Sequence, residues 1–341
     1  MNESKRLMWH DIREWGVEGK GWKDTVKYFD RLPVSAQKVV PETVWNLSHS
    51  ASGMAVLFET DASEIHARWA LESEITHEPN FPAAGFSGLD LYAWTGQTWR
   101  WAGVGRQIQS RSPEQLLVGG LKPGYRRYLL YLPLRNPVLK VEMGVPKGSK
   151  FKAVPPRKEA PLVFYGTSIV QGGNASHAGM AHPSILGRWL NRPVINLGFS
   201  GNGRMEPELA VLLGELRAQV YILDCVRNMD PVMIRERAEN FVRILRKIRP
   251  KTPIILVEEQ PCTNSWIKPA LLLDNRRKCR AYRDAYTKLV KSGVKDVHYI
   301  RGKSLFGDDG DASLDGIHPS DLGFMRMAES LYPVLRRLCR T

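Results

Sequence analysis

From residue 162 onward the chain alternates between two patterns, and that alternation restricts its fold more than any other feature. Short apolar runs at 162–165, 193–197, 220–224, 253–257 and 297–300 are separated by stretches with apolar residues at helical spacing, near 182–191, 206–219, 231–248, 272–290 and 321–338. Runs that short and that continuously apolar are what a strand needs when both faces of its sheet are covered. Strand and helix in strict succession imply a parallel sheet with helices on either side, a three-layer α/β/α arrangement. The 231–248 stretch, with Pro231 in its first turn, predicts a long amphipathic helix.

The first 150 residues are written differently. Residues 64–71 alternate polar and apolar, 98–101 do so over a shorter span, and 127–132 and 138–143 are further candidate strands. Turn residues such as Asn80-Phe81-Pro82 and Lys122-Pro123-Gly124 punctuate them, so this half predicts an antiparallel β-sandwich. Eight of the ten tryptophans precede residue 102. They suit either a sugar-stacking surface or ordinary sandwich packing, and the second needs fewer assumptions because indoles bury large areas. His66 and His77 read as structural or surface residues. Residues 144–160, GVPKGSKFKAVPPRKEA, are rich in Lys, Pro and Gly, the composition of a linker. At 341 residues the chain exceeds the size of one core. The division expected is a β-sandwich at 1–150, a linker at 151–160 and an α/β domain at 161–341.

Composition narrows the function classes. Hydrophobic residues at 43% and charged residues at 25% are those of a globular protein, and no apolar run approaches a membrane span. No signal peptide is visible, which leaves a cytoplasmic location or an export signal already removed. The net charge of +14 is scattered rather than clustered, with no zinc-finger or RNA-binding signature, so a nucleic-acid partner is not expected. Cys225, Cys262, Cys279 and Cys339 form no C-x-x-C pair and read as free thiols, not a metal site.

The chemistry-bearing residues sit where the strands end. Gly166-Thr167-Ser168 closes the first apolar run, 198–203 (GFSGNG) the second, Asp224 to Asn228 the third, and Glu258-Glu259-Gln260 the fourth. In a parallel sheet these ends share one edge, the edge where ligands bind. Acyl transfer from a serine needs a nucleophile, a base and oxyanion donors. Ser168 supplies the first, although a serine there also suits a helix N-cap. His318 can supply the base, with Asp315 three residues before it to orient the imidazole. The N–H groups of Ser168 and Gly201 and the side-chain amide of Asn228 can supply the donors. Such a site needs no metal and no organic cofactor. Ser200 is a weaker nucleophile candidate, because Gly-x-Ser-x-Gly requires glycine where Asn202 stands. His177 and His182 are weaker bases, having no acidic residue shortly before them. Asn174, Arg204 and Glu259 are candidate substrate-binding residues, with surface or packing roles as the alternative.

These blocks resemble those of the SGNH (GDSL-like) hydrolases, named for Ser, Gly, Asn and His. The matching stretches are FYGTSIVQGG, NLGFSGNG, LDCVRNMD and LDGIHPSDLG, over residues 160 to 341. The resemblance implies a flavodoxin-like fold, Ser168 as nucleophile, Asp315 and His318 as its partners, and Gly201 and Asn228 in the oxyanion hole. Two departures stand out. Thr167 replaces the usual Asp, and Asn228 is flanked by Arg227 and Met229 instead of the family's Gly-x-Asn-Asp. In the first half, Ser87 to Tyr92 (SGLDLY) resembles the GxDLY signature of a domain fused to some SGNH esterases. Together the resemblances imply an esterase removing a small acyl group, acetyl foremost, from a carbohydrate or other small-molecule or oligosaccharide ester. The alternatives are a lipase- or thioesterase-type hydrolase of the same family, or a glycan-binding protein with a silent α/β domain.

Overall fold

A computed structural model describes residues 6–106 and 110–339. In the N-terminal half, strands β1 (Leu7–Asp11), β2 (Ala55–Thr60), β3 (Ile65–Leu71), β4 (Leu89–Trp94), β5 (Trp99–Gly105), β6 (Glu114–Val118), β7 (Arg126–Tyr131), β8 (Val138–Pro146) and β9 (Phe151–Val154) form two antiparallel sheets. One has the order β1-β8-β3-β6, the other β5-β4-β7-β2-β9. Helices α1 (Glu42–Leu47) and α2 (Ala83–Phe86) lie in the connections. The alternation read in residues 64–71 is realised in β3, whose Ile65, Ala67, Trp69 and Leu71 point inward. They meet Val56, Phe58, Leu89, Leu91 and Leu130 of the facing sheet in one core.

The expected linker at 151–160 begins with structure instead. Phe151–Val154 pairs antiparallel with β2, setting Phe151 opposite Thr60 and Val154 opposite Leu57. Phe151 also stacks on His10 and Phe58, at ring-centroid distances of 3.9 and 5.4 Å. The lysines and prolines misled because β9 is an edge strand, and edges tolerate charge on their open side.

The second half follows the predicted alternation. Strands β10 (Leu162–Gly166), β11 (Val194–Gly198), β12 (Val220–Asp224), β13 (Ile254–Val257) and β14 (Val297–Ile300) form a parallel sheet in the order β11-β10-β12-β13-β14. That is the doubly wound, flavodoxin-like order, with its switch point at β10. Helices α3 (Ser168–Gln171), α4 (His182–Trp189), α5 (Pro207–Glu215), α6 (Pro231–Ile248), α7 (Pro269–Lys291) and α8 (Asp321–Leu338) cover it. Alternate strand residues face opposite layers. Val163 and Tyr165 pack with α5, α6 and α7, whereas Leu162 and Phe164 pack with α4 and α8. No helix among the described residues is long and apolar enough to cross a membrane.

The segment between β1 and β2, for which the sequence offered no regular pattern, packs on the parallel sheet. Trp22, Leu32, Val44 and Trp45 join the core under α5 to α7. Arg31 is fully buried and reaches across to β11, where Nη1 donates to the carbonyl oxygens of Asn196 and Gly198 at 3.1 and 2.7 Å. Its other nitrogens donate to Leu47 O, Ser50 O and Ser50 Oγ. Burial brings its pKa down to about 9, which leaves it charged at neutral pH. Arg31→Met strands these acceptors without donors, so it is expected to lower unfolding free energy by about 3 kcal/mol or more. Urea denaturation checks this, and an unchanged midpoint would show that the contact carries no net stability.

Candidate active site

The site begins at a steric constraint. A Cβ on Gly166 would lie 2.2 Å from the carbonyl oxygen of Asp224, so only glycine lets β10 and β12 close on one another at this point. The chain then enters α3, with Thr167 as N-cap and Ser168 as the first helical residue. Ser168 is largely buried at 9% exposure, yet its Oγ lies 2.8 Å from His318 Nε2. His318 Nδ1 lies 2.7 Å from Asp315 Oδ2. Residues 150 positions apart thus form one hydrogen-bonded row.

The Asp315–His318 turn holds itself in shape. Asp315 Oδ1 accepts from the backbone N–H groups of Ile317 and His318, at 2.9 and 2.7 Å, while Oδ2 faces the ring. Gly316 supplies the positive φ of +91° that this turn requires. Behind it, the His318 carbonyl accepts from Ser313 Oγ and Leu314 N–H. Burial pushes the Asp315 carboxyl up, but the N–H groups of His318 and Ile317 and the imidazole outweigh it and hold the group below the usual carboxylate range. An ionised carboxylate here keeps the proton on Nδ1 and leaves Nε2 toward Ser168.

The second and third strand ends come together beside this row. Asn228 Nδ2 donates to Asn202 O at 2.8 Å, which spends one amide N–H and leaves the other. Gly201 has a φ of +69°, and a Cβ there would meet nothing within 4 Å. Its backbone conformation, not crowding, explains the glycine. Arg204 is exposed and bonds the Gly201 carbonyl through Nη2 at 2.9 Å, bracing this turn. Asn174 lies next to Gly173, where a Cβ would be 3.6 Å from Ser168 Cβ and 3.7 Å from His318 Cδ2. Its own Nδ2 is buried without a partner among the described residues.

Glu259 does not join them. It is turned beneath the third strand end, hydrogen-bonded by Asn275 Nδ2 at 3.1 Å and 3.4 Å from Arg227 Nε. It borders a separate cleft of about 750 Å³ that includes Trp266, Arg276 and Lys303 and none of the Ser168 row. Burial raises its pKa against the pull of Arg227 and Lys278. The weaker candidates are also placed. Ser200 spends its hydroxyl on Gln171 Oε1. His182 is enclosed between Phe164 and Phe324, and burial lowers it to about 3. His177 does have a carboxylate partner, Asp90, 87 positions earlier and on the other half of the chain.

A parallel sheet with a Ser–His–Asp row on its carboxyl edge defines the class, and comparison with known proteins agrees. Residues 159–336 match the GDSL-like lipase/acylhydrolase family, and residues 7–151 match the GxDLY family, described as the N-terminus of SGNH-hydrolase-type esterases. The chain belongs to the GDSL-like lipase/acylhydrolase family. It is similar to a GDSL-like lipase from Bacteroides ovatus at 32% identity, with a TM-score of 0.93 and 98% of each chain covered. It shares its fold with the salicylyl-acyltransferase SsfX3 of a tetracycline biosynthetic pathway, at 20% identity and a TM-score of 0.76 over 99% of this chain and 98% of that one. An acetyl xylan esterase, Est2A from Butyrivibrio proteoclasticus, aligns at 14% identity and a TM-score of 0.57 over 97% and 98%. No curated protein matched.

Asp224, at the end of β12, gives a test of the buried charges beneath this edge. Burial raises its carboxyl to about 7 despite Arg227, with Glu259 adding to the rise. Between about pH 4 and pH 7 the folded chain therefore keeps a proton that the unfolded chain has lost, and stability falls as pH rises through that window. Asp224→Asn removes this slope. Its stability relative to wild type should improve between pH 4.5 and pH 8, by at most on the order of 4 kcal/mol. Chemical denaturation at the two pH values measures it, and a constant difference would contradict the burial argument.

Proposed function

We propose that the protein is a serine esterase that removes a small acyl group, acetyl foremost, from a carbohydrate ester. The observation that carries this reading is the row Ser168 Oγ, His318 Nε2, Asp315 Oδ2, with successive separations of 2.8 and 2.7 Å. His318 Nε2 takes the proton of Ser168 Oγ as that oxygen bonds to the ester carbonyl carbon. The carbonyl oxygen becomes an oxyanion held by the N–H groups of Ser168 and Gly201 and by the remaining N–H of Asn228. Collapse breaks the bond to the alcohol, which leaves with the proton from His318. Water then gives a proton to His318, attacks the acyl carbon and releases the acid, returning the proton to Ser168 Oγ.

Asp315, ionised and bonded to Nδ1, keeps the ring in the tautomer that can accept and stabilises the imidazolium. The acyl group and the sugar are assigned separately from the serine chemistry. They rest on the shared fold with an acetyl xylan esterase, which makes acetylated glycans the first substrates to try.

Ser168→Ala should lower kcat/KM on an acetate ester by at least about 10³-fold. Turnover of vinyl acetate by this variant at the wild-type rate would remove the assignment. Asn228→Ala should reduce kcat by about 10²-fold with little change in KM, since its amide meets charge that exists only in the transition state. Steady-state kinetics separates that from a binding defect.

A further inference from the structure

The Asp90-Leu91-Tyr92 motif takes no part in the chemistry above, yet its side chains are committed to specific partners. Asp90 is completely buried, and three donors, one on β5 and two in the 177–179 turn, converge on its carboxylate. Oδ1 accepts from Trp101 Nε1 at 3.1 Å, on the neighbouring strand β5. Oδ2 accepts from the Gly179 N–H at 2.7 Å and from His177 Nδ1 at 2.6 Å. Tyr92, two residues on, lies against the same turn. A Cβ on Gly179 would come within 2.5 Å of both Asp90 Oδ2 and Tyr92 Oη. Arg188 of α4 closes the clasp, lying 3.9 Å over the Tyr92 ring and donating to the Gly179 carbonyl at 2.8 Å.

Docking the 178–180 turn would need only the Gly179 contact. The carboxylate instead also orients two side chains that remain open to solvent. Trp101 is 54% exposed, although Trp69 on the facing sheet is 2% exposed. The His177 side chain is 21% exposed, and its ring centroid is 6.2 Å from that of Trp101 at a tilt of 40°. With Nδ1 committed to Asp90, Nε2 is left outward as the hydrogen-bonding atom. The indole N–H is likewise turned inward, which leaves ring surface to the outside.

The chain bounds how far this pair can lie from Ser168. Gly173 abuts Ser168 and His318, and His177 follows four residues later, which limits the Cα separation from Gly173 to about 14 Å. The intervening chain is tied to the His318 side of the site, because the Ser176 N–H donates to Asp321 Oδ1 at 3.0 Å at the start of α8.

We propose that Trp101 and His177, positioned by Asp90, form a subsite for a hydroxyl-bearing ring in the alcohol portion of the ester. An exposed aromatic face beside an oriented imidazole can cover the ring and hydrogen-bond its hydroxyls. An acyl chain would call for an enclosed apolar slot, which this open and polar pair does not offer. The β-rich half thereby contributes substrate contacts to a serine carried by the α/β half. The subsite's place in catalysis rests on the esterase reading of Ser168, whereas its ability to bind a glycoside does not.

The test compares Trp101→Ala and His177→Ala on vinyl acetate, whose leaving group has no ring, and on a panel of acetylated methyl glycosides. Both variants should keep kcat/KM on vinyl acetate within about threefold and lose about tenfold or more on the preferred glycoside, chiefly through KM. Trp101→Phe, which keeps an aromatic face, should recover most of the loss. Equal losses on both substrates, no loss on either, or a wild type that favours no acetylated glycoside over vinyl acetate would each overturn the subsite. Saturation-transfer NMR of the unesterified methyl glycosides on Ser168→Ala, with and without Trp101→Ala, reads binding without turnover. A signal lost with the indole supports the subsite even if the esterase reading fails, and a signal indifferent to the indole overturns it even if that reading stands.

Discussion

Close backbone contact at the carboxyl end of β10 is the constraint on which the rest of this structure depends. Gly166 fits between its neighbours only without a side chain, and its carbonyl accepts from the Phe199 N–H at 2.9 Å. The loop after β11 is thus tied to the end of β10 through main-chain atoms. Side chains complete the tie. Asn196 accepts from the Gly198 N–H and donates to Val170 O, and Gln171 Oε1 accepts from both the N–H and the hydroxyl of Ser200. Ser168 is therefore placed by the sheet itself rather than by a mobile loop. The histidine arrives on a turn whose shape Asp315 fixes. A site built this way carries its alignment in the folded state, and alignment is where much of an enzyme's rate advantage originates.

The same contacts explain why the two halves of the chain cannot be treated as independent. Two of the three hydrophobic clusters contain residues from both. Trp22 donates through Nε1 to Glu215 at 2.7 Å, Arg31 caps the end of β11, and Asp90 holds the turn before α4. Domains joined by a small polar interface move relative to one another by default, but a shared apolar core removes that freedom. The β-rich half thus acts as part of the scaffold that fixes the strand ends. Arg31 shows the mechanism most directly, since its guanidinium bonds backbone carbonyls on both sides of the junction.

What the sequence revealed follows from how local each determinant is. The helix at 231–248 was legible to the residue, because its apolar residues recur at helical spacing and Pro231 occupies its first turn; Asp230 then caps it through the N–H groups of Val232 and Met233. Ser168 was legible because strand ends in a parallel sheet must share an edge, and His318 because Asp315 stands three residues before it in the LDGIHPSDLG block. Three features were not. The edge strand β9 carries a linker's composition, since only one side of it needs to be apolar. The segment between β1 and β2 packs by scattered side chains with no period to detect. Asp90 and His177 were missed as a pair because an acidic partner was sought within a few residues of the histidine, and the sheet supplied one from 87 positions away. The motif containing Asp90 was visible, but nothing local indicates which turn it grips. Glu259 failed for a related reason. Its backbone lies at the right edge, while its side chain turns under toward Asn275 and Arg227.

The pairs of aspartate and histidine show how much can be read from such an arrangement. Three are present among the described residues: Asp30 with His49, Asp90 with His177, and Asp315 with His318. In each the carboxylate faces Nδ1, so each imidazole is held in the same sense. An oriented imidazole is accordingly a common product of folding, and by itself it says little about chemistry. What separates the third pair is the group at the opposite ring nitrogen, the hydroxyl of Ser168 at 2.8 Å, set there by a strand end rather than by the histidine's own loop. Orientation comes from a local turn and the hydroxyl from a distant strand, and only the closed sheet makes them meet. Where no such oxygen faces the ring among the described residues, as at His177, the same dyad leaves a ring nitrogen that the proposed subsite would use to hold a ligand.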